Sequence, residues 1–223
     1  MIDKLNAGFS TFRSRYFEEN KQLFDNLTTH GQSPKIMMIS CADSRVDPAL
    51  MFNIDPGDIF VIRNVANLVP PCQTDTDNHA VSSALEFAVK DLKVEHVIIM
   101  GHAMCGGIKA LCSFCQQTEQ QRAEETDETR RAFIRGWVDT ARPAIEQVDM
   151  NLPESDRFRA AEQASIVHSL QNLRSFSFIK HKEDSGELSL HGWWFDMQDG
   201  TLWACQEADK KFVPLNPAMT EQN

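Results

Sequence analysis

Apolar residues recur along this chain with two different rhythms. Over residues 3–29, Phe9, Phe12, Phe17, Leu23, Phe24 and Leu27 follow a period near 3.6, which predicts a leading amphipathic helix. Such a helix needs a surface to cover, either the chain's own core or a partner subunit. After the His30-Gly31 turn come three short, unbroken apolar runs: 35–40 ending at Cys41, 59–62 behind the turn Asp55-Pro56-Gly57-Asp58, and 94–100. They have strand length, are rich in branched residues and do not alternate, as expected of parallel strands buried on both faces.

Helical periodicity returns between and after these runs. A stripe of Val81, Ala84, Leu85, Ala88, Val89 and Leu92 predicts a helix over 78–92, and another should start at Gly106-Gly107 and run through Ile108 and Leu111. Ile166, Val167, Leu170, Leu173 and Phe176 mark a further amphipathic stretch. Two strands, 187–195 and 201–205, are joined by the hairpin signal Asp199-Gly200. The polar segment 116–131 reads as a solvated helix or loose insertion. Alternating strands and helices predict an α/β fold: a central, mainly parallel sheet flanked by helices, with an N-terminal helical arm and a C-terminal hairpin. With no repeat or linker, one domain over 1–223 is expected: arm 1–30, core 31–111, helical and polar insertion 112–160, helix plus edge strands 161–215.

Composition narrows the class. At 223 residues, 42% hydrophobic and 24% charged, the chain has the make-up of a soluble globular protein. A net charge of −10 disfavours nucleic acid and anionic membrane surfaces as partners. The first twenty residues lack the apolar region of a signal peptide, and runs such as Val97-Ile98-Ile99-Met100 are too short to cross a bilayer. Six cysteines in a leaderless chain read as thiols, ligands or core residues, and the expected setting is the cytoplasm.

The chemistry sits at strand ends. Cys41 closes the first apolar run and opens Cys41-Ala42-Asp43-Ser44-Arg45; the third run ends in Gly101-His102-Ala103-Met104-Cys105-Gly106-Gly107. In an open parallel sheet the carboxyl ends of the strands share one edge, where ligands bind. Two cysteines and a histidine thus converge there, and Cys₂His is a known catalytic zinc set that leaves a fourth position open. Buried cysteines of a core are the plainer alternative, but they do not account for the adjacent Asp43 and Arg45.

At these residues the chain resembles the β-class carbonic anhydrases, whose signature is Cys-x-Asp-Ser-Arg followed downstream by His-x-x-Cys. The likeness is dense over 31–111, including Arg63-Asn64-Val65-Ala66-Asn67, and looser over 160–205, through the 170–173 helix and Gly192-Trp193-Trp194. The resemblance implies Cys41, His102 and Cys105 as ligands of one Zn²⁺. It also implies reversible hydration of CO₂ to bicarbonate by zinc hydroxide attack, and self-association as a dimer or tetramer. Asp43 would orient the attacking oxygen, with Arg45 holding Asp43 off the metal. Gln32, nine positions before Cys41, would hydrogen-bond substrate. Phe60, Val65, Phe87 and Gly106 would line the substrate pocket, Phe87 replacing the tyrosine of plant enzymes. Gln32, Phe60 and Phe87 would face the neighbouring subunit's zinc.

A regulated subset of the family carries a tryptophan three positions before the first ligand cysteine. Met38 stands there, so an open site without bicarbonate allostery is expected. Two other readings share the motif: hydrolysis of CS₂ or COS at the same zinc, and a non-catalytic, zinc-stabilised binding protein. Cys112-x-x-Cys115 reads as core packing, and Gly101-x-x-x-x-Gly106 fails as a phosphate loop because Gly107 occupies the lysine position.

Overall fold

The computed structural model describes residues 1–73, 79–149 and 151–215. Six strands form one sheet: β1 (Ile36–Cys41), β2 (Ile59–Asn64), β3 (His96–His102), β4 (Ser189–Phe195), β5 (Leu202–Cys205) and β6 (Phe212–Pro214). Their order is β2-β1-β3-β4-β5-β6; the first four are parallel and the last two antiparallel. β1 is buried along nearly its whole length, in keeping with its non-alternating sequence.

The helices are α1 (Ile2–Thr11), α2 (Lys21–His30), α3 (Pro48–Phe52), α4 (Ala80–Glu86), α5 (Gly106–Gln116), α6 (Glu119–Ala123), α7 (Ala132–Val138), α8 (Arg142–Ile145), α9 (Glu154–Leu173) and α10 (Ser177–Asp184). The leading helix is not continuous. It passes through a π-helical stretch at Phe12–Phe17 and breaks at Asn20, whose side-chain amide donates to the Tyr16 carbonyl at 2.8 Å. The helix expected over 78–92 comprises α4 and a π-helical continuation, Phe87–Asp91; its expected start at Asn78 lies outside the described residues. The stretch 166–176 is the second half of α9, which ends at Leu173. α5 and α9 both run across the expected internal boundaries at 111/112 and 160/161.

One core cluster joins Met37, Ile39, Val97 and Ile99 to Leu85, Val89, Ile166, Leu170 and Leu173, and a second gathers Cys41, Cys105, Ile108, Leu111 and Cys112. α9 lies directly on the sheet. A Cβ on Gly101 would stand 2.7 Å from Ile166 Cδ1, so any larger residue there would make Ile166 shift. No helix among the described residues is long and apolar enough to cross a membrane.

Candidate metal centre

β1 and β3 are parallel neighbours in register from Ile36↔His96 to Ser40↔Met100, so both end at the same sheet edge. Cys41 and His102 are their last residues, and Cys105 is the N-cap residue just before α5. All three are buried, and one ligand atom from each lies within 4.8 Å of the others. The two Sγ atoms are 3.9 Å apart. Two thiolates each about 2.3 Å from one tetrahedral ion would stand about 3.8 Å apart, so the sulfur spacing suits zinc.

The imidazole is prepared for the same role. His102 Nδ1 is 2.8 Å from the Ala103 carbonyl, which can only accept, so Nδ1 carries the proton and Nε2 presents its lone pair. Nε2 is buried without a hydrogen-bond partner among the described residues, an arrangement that costs free energy unless a cation meets it. The hydrogen bond from Cys105 outweighs burial and draws the Cys41 thiol down to about 4, while the same contact and burial push Cys105 far above its ordinary range. A divalent cation would displace that shared proton and satisfy both sulfurs.

The turn after β2 supports the ligands from below. Ala66, fully buried, adopts left-handed backbone (φ +66°), and its N–H donates to Cys41 Sγ at 3.4 Å. Asn64 clamps this turn, accepting from Leu68 N–H at 2.9 Å and donating to the Leu68 carbonyl at 3.0 Å. A Cβ on Gly107 would meet Val65 Cγ1 at 2.7 Å and Ala66 Cβ at 2.9 Å, so this glycine lets α5 start directly against the turn.

Asp43 and Arg45 stand at the mouth. Both Asp43 oxygens are engaged by the guanidinium, and the hydrogen bonds from Arg45, opposed by partial burial, hold the carboxyl well below the usual carboxylate range. Arg45 Nη2 also donates to the Met104 carbonyl at 3.1 Å, tying the two ligand loops together. Arg63 secures the loop behind them, donating to the carbonyls of Cys41, Asp43 and Val46 and pairing with Asp47 at 2.7 Å.

A family model described as carbonic anhydrase matches residues 36–202. Beta carbonic anhydrase 3 of Arabidopsis thaliana is 33% identical over 218 residues, covering 96% of this chain and 80% of that protein. The chain belongs to the β-class carbonic anhydrases. The structure of the β-carbonic anhydrase CcaA superposes with a TM-score of 0.83 at 30% identity, covering 97% of this chain and 93% of that one. One of two tetrameric β-carbonic anhydrases of Sordaria macrospora shares the fold, with a TM-score of 0.73 at 24% identity, covering 97% of each chain.

The other expected site residues of this β-carbonic anhydrase divide between two edges of the sheet. Val65, 39% exposed, and Gly106, at the start of α5, are on the edge with Cys41; the Val65 carbonyl accepts from Trp137 Nε1 at 2.7 Å. Phe60 pairs in register with Met37 near the start of β1, and its ring lies 5.8 Å from that of Phe87, which is 45% exposed. Gln32 is exposed in the loop that enters β1. At about 3.3 Å per residue, the length of β1 puts roughly 17 Å between these two edges. Within one chain, therefore, Gln32, Phe60 and Phe87 do not join the ligands.

Cys112 lies buried in the second core cluster with Cys115 packed against it. Sequence reading did not single out Glu162, which is buried behind Cys105, where burial pushes its carboxyl up to about 7 against two accepted hydrogen bonds. Its signal was an acidic residue four positions before Ile166, in phase with the apolar stripe of α9.

Proposed function

We propose that Cys41 Sγ, His102 Nε2 and Cys105 Sγ hold one Zn²⁺ and that this chain catalyses CO₂ + H₂O ⇌ HCO₃⁻ + H⁺. When bound, zinc would acidify a coordinated water, as it does in carbonic anhydrase, where the pKa of that water falls to about 7. The protein's own groups supply orientation. Asp43, kept ionised by Arg45, accepts a hydrogen bond from the attacking water and aims its lone pair at carbon. Arg45 would also keep Asp43 from turning onto a bound metal. Val65 offers an apolar wall to a nonpolar substrate, beside Gly106 at the head of α5.

The observation that carries this reading is the buried Cys41–His102–Cys105 group with a pinned carboxylate 3.9 Å from His102 Nε2. Stopped-flow CO₂ hydration against pH, with metal content measured on the same sample, tests it. Zinc near one per chain and bicarbonate formation support it; zinc without hydration, or sulfide release from CS₂ in its place, overturns it.

We further propose one domain that self-associates as a dimer or tetramer, Gln32, Phe60 and Phe87 of one subunit completing the pocket of the other. Their place at the far sheet edge favours this, as does the arm: Ile2, Leu5 and Phe9 of α1 are each more than 60% exposed. A reducing compartment such as the cytoplasm suits six free cysteines, two of which must stay reduced to bind metal. The acidic charge disfavours nucleic acid and anionic membranes as partners.

A further inference from the structure

We infer that Glu162 is a positioning residue for the metal centre, fixing the Cys105 ligand through its peptide N–H; this rests on the zinc reading above. Glu162 is 4% exposed on α9, beneath the turn that follows β3. Its Oε1 accepts from the Cys105 backbone N–H at 3.0 Å, and its Oε2 accepts from Trp194 Nε1 at 3.1 Å. Trp194 is itself fixed: it is fully buried in β4, and Arg159, one turn before Glu162, lays its guanidinium 4.6 Å from the indole ring. β4 also grips the other end of the turn, the Phe195 carbonyl accepting from Ala103 N–H at 2.8 Å.

The turn needs such holding. Met104 adopts a left-handed backbone (φ +59°), a conformation that persists in a non-glycine residue only where its surroundings over-determine it. It connects His102 to Cys105, so any relaxation of Met104 moves one ligand relative to the other. The Glu162 bond to Cys105 pins the far side of that strained residue.

The chemistry of position 162 is specific to a carboxylate. A leucine would extend the apolar stripe of Ile166, Leu170 and Leu173 without the cost of burying charge. It would leave the N–H groups of Cys105 and Trp194 without their acceptor. A glutamine has one oxygen and one NH₂, and with two N–H donors facing it, either orientation sets donor against donor. Only a group that accepts on both oxygens serves Cys105 and Trp194 together.

The test uses the full-length, zinc-loaded protein and reads zinc affinity by chelator competition, with the absorption of the Co²⁺-substituted protein as the signature of ligand geometry. Glu162→Gln is expected to weaken zinc binding by about tenfold to a hundredfold and to shift the cobalt bands. Trp194→Phe alone, which spares the Cys105 bond, is expected to change affinity much less. Glu162→Gln combined with Trp194→Phe is expected to recover most of the loss, since the glutamine oxygen can then face Cys105 with no donor opposite its NH₂. Wild-type zinc affinity and cobalt spectrum in Glu162→Gln, with only a lower melting temperature, would overturn the inference. If that single variant does not fold, the Trp194→Phe background decides between Glu162→Gln and Glu162→Leu. At least about tenfold tighter zinc in the glutamine form supports the role, and equal affinity defeats it. A wild-type protein that binds no zinc would instead remove the metal reading itself, and this inference with it.

Discussion

Arg45 holds Asp43 by both carboxylate oxygens, Nε on Oδ1 at 2.9 Å and Nη2 on Oδ2 at 2.7 Å, while Oδ2 stays 3.9 Å from His102 Nε2. On the proposed reading, the guanidinium would act as a restraint on Asp43 as well as a counter-ion. Arg45→Ala is expected to lower CO₂ hydration by on the order of a hundredfold, the scale of losing a positioned acid–base group. In the cobalt-substituted variant, thiocyanate should no longer perturb the spectrum, because Asp43 would fill the fourth position. A spectrum that still responds to thiocyanate would show that Arg45 is not the restraint.

Among the described residues, His102 offers the only imidazole lone pair at the candidate centre, and Cys41 and Cys105 cannot make a three-ligand site without it. His102→Ala should therefore emerge without stoichiometric zinc and without measurable hydration. Elemental analysis and stopped-flow assay on one preparation check this. A fully active, zinc-free variant would eliminate the mechanism.

The pocket proposed to be shared between subunits predicts complementation between chains. His102→Ala supplies an intact Gln32 with a dead centre, and Gln32→Ala supplies an intact centre without the donor. Unfolding and refolding the two together should yield mixed oligomers more active than either parent. No gain on mixing, in samples shown to contain mixed species, would place Gln32's contribution within its own chain or nowhere.

Glu162 gives the metal-free protein a pH dependence of definite sign. Burial raises its carboxyl from 4.5 to about 7, so between those values the folded chain retains a proton that the unfolded chain has lost. Stability is then highest below pH 4.5 as far as this group is concerned and declines as pH rises through 7, by about 3 kcal/mol. Urea midpoints from pH 5 to pH 8 should show the decline in the wild type, with this part of the slope missing in Glu162→Gln. An identical slope in both would assign it to other groups.

Cys112 and Cys115 should prove dispensable. Burial pushes the Cys112 thiol up to about 11, leaving it protonated and unreactive near neutrality. Replacing both by serine is expected to leave zinc content unchanged and to cost stability, because Cys112 fills core. Loss of zinc in that variant would reveal a second role.

The runs at 35–40, 59–62 and 94–100 were readable as strands because a buried parallel strand advertises itself locally, through unbroken branched residues between turn signals. The ligand motifs were readable for the same reason: each is contiguous and each sits where a strand stops. The break at Asn20 was not, since Phe17, Leu23 and Phe24 keep a helical period across it and the interruption lies in the backbone angles of Asn20. Nor could periodicity say that β4 would slot in as a parallel neighbour of β3, nearly ninety positions earlier.

Local pattern thus determined which residues are the candidate ligands, and at which end of which strand they stand. Tertiary structure alone decided that Cys41 and Cys105 bring their sulfurs to 3.9 Å, that Glu162 on a distant helix meets the Cys105 peptide, and that Gln32, Phe60 and Phe87 stand at the wrong edge for their own centre. The physical reason is the range of the forces recorded in each. Propensity and periodicity act between residues a few positions apart, whereas strand register, helix seating against Gly101 and the pairing of buried donors with acceptors are settled only when distant segments exclude water together.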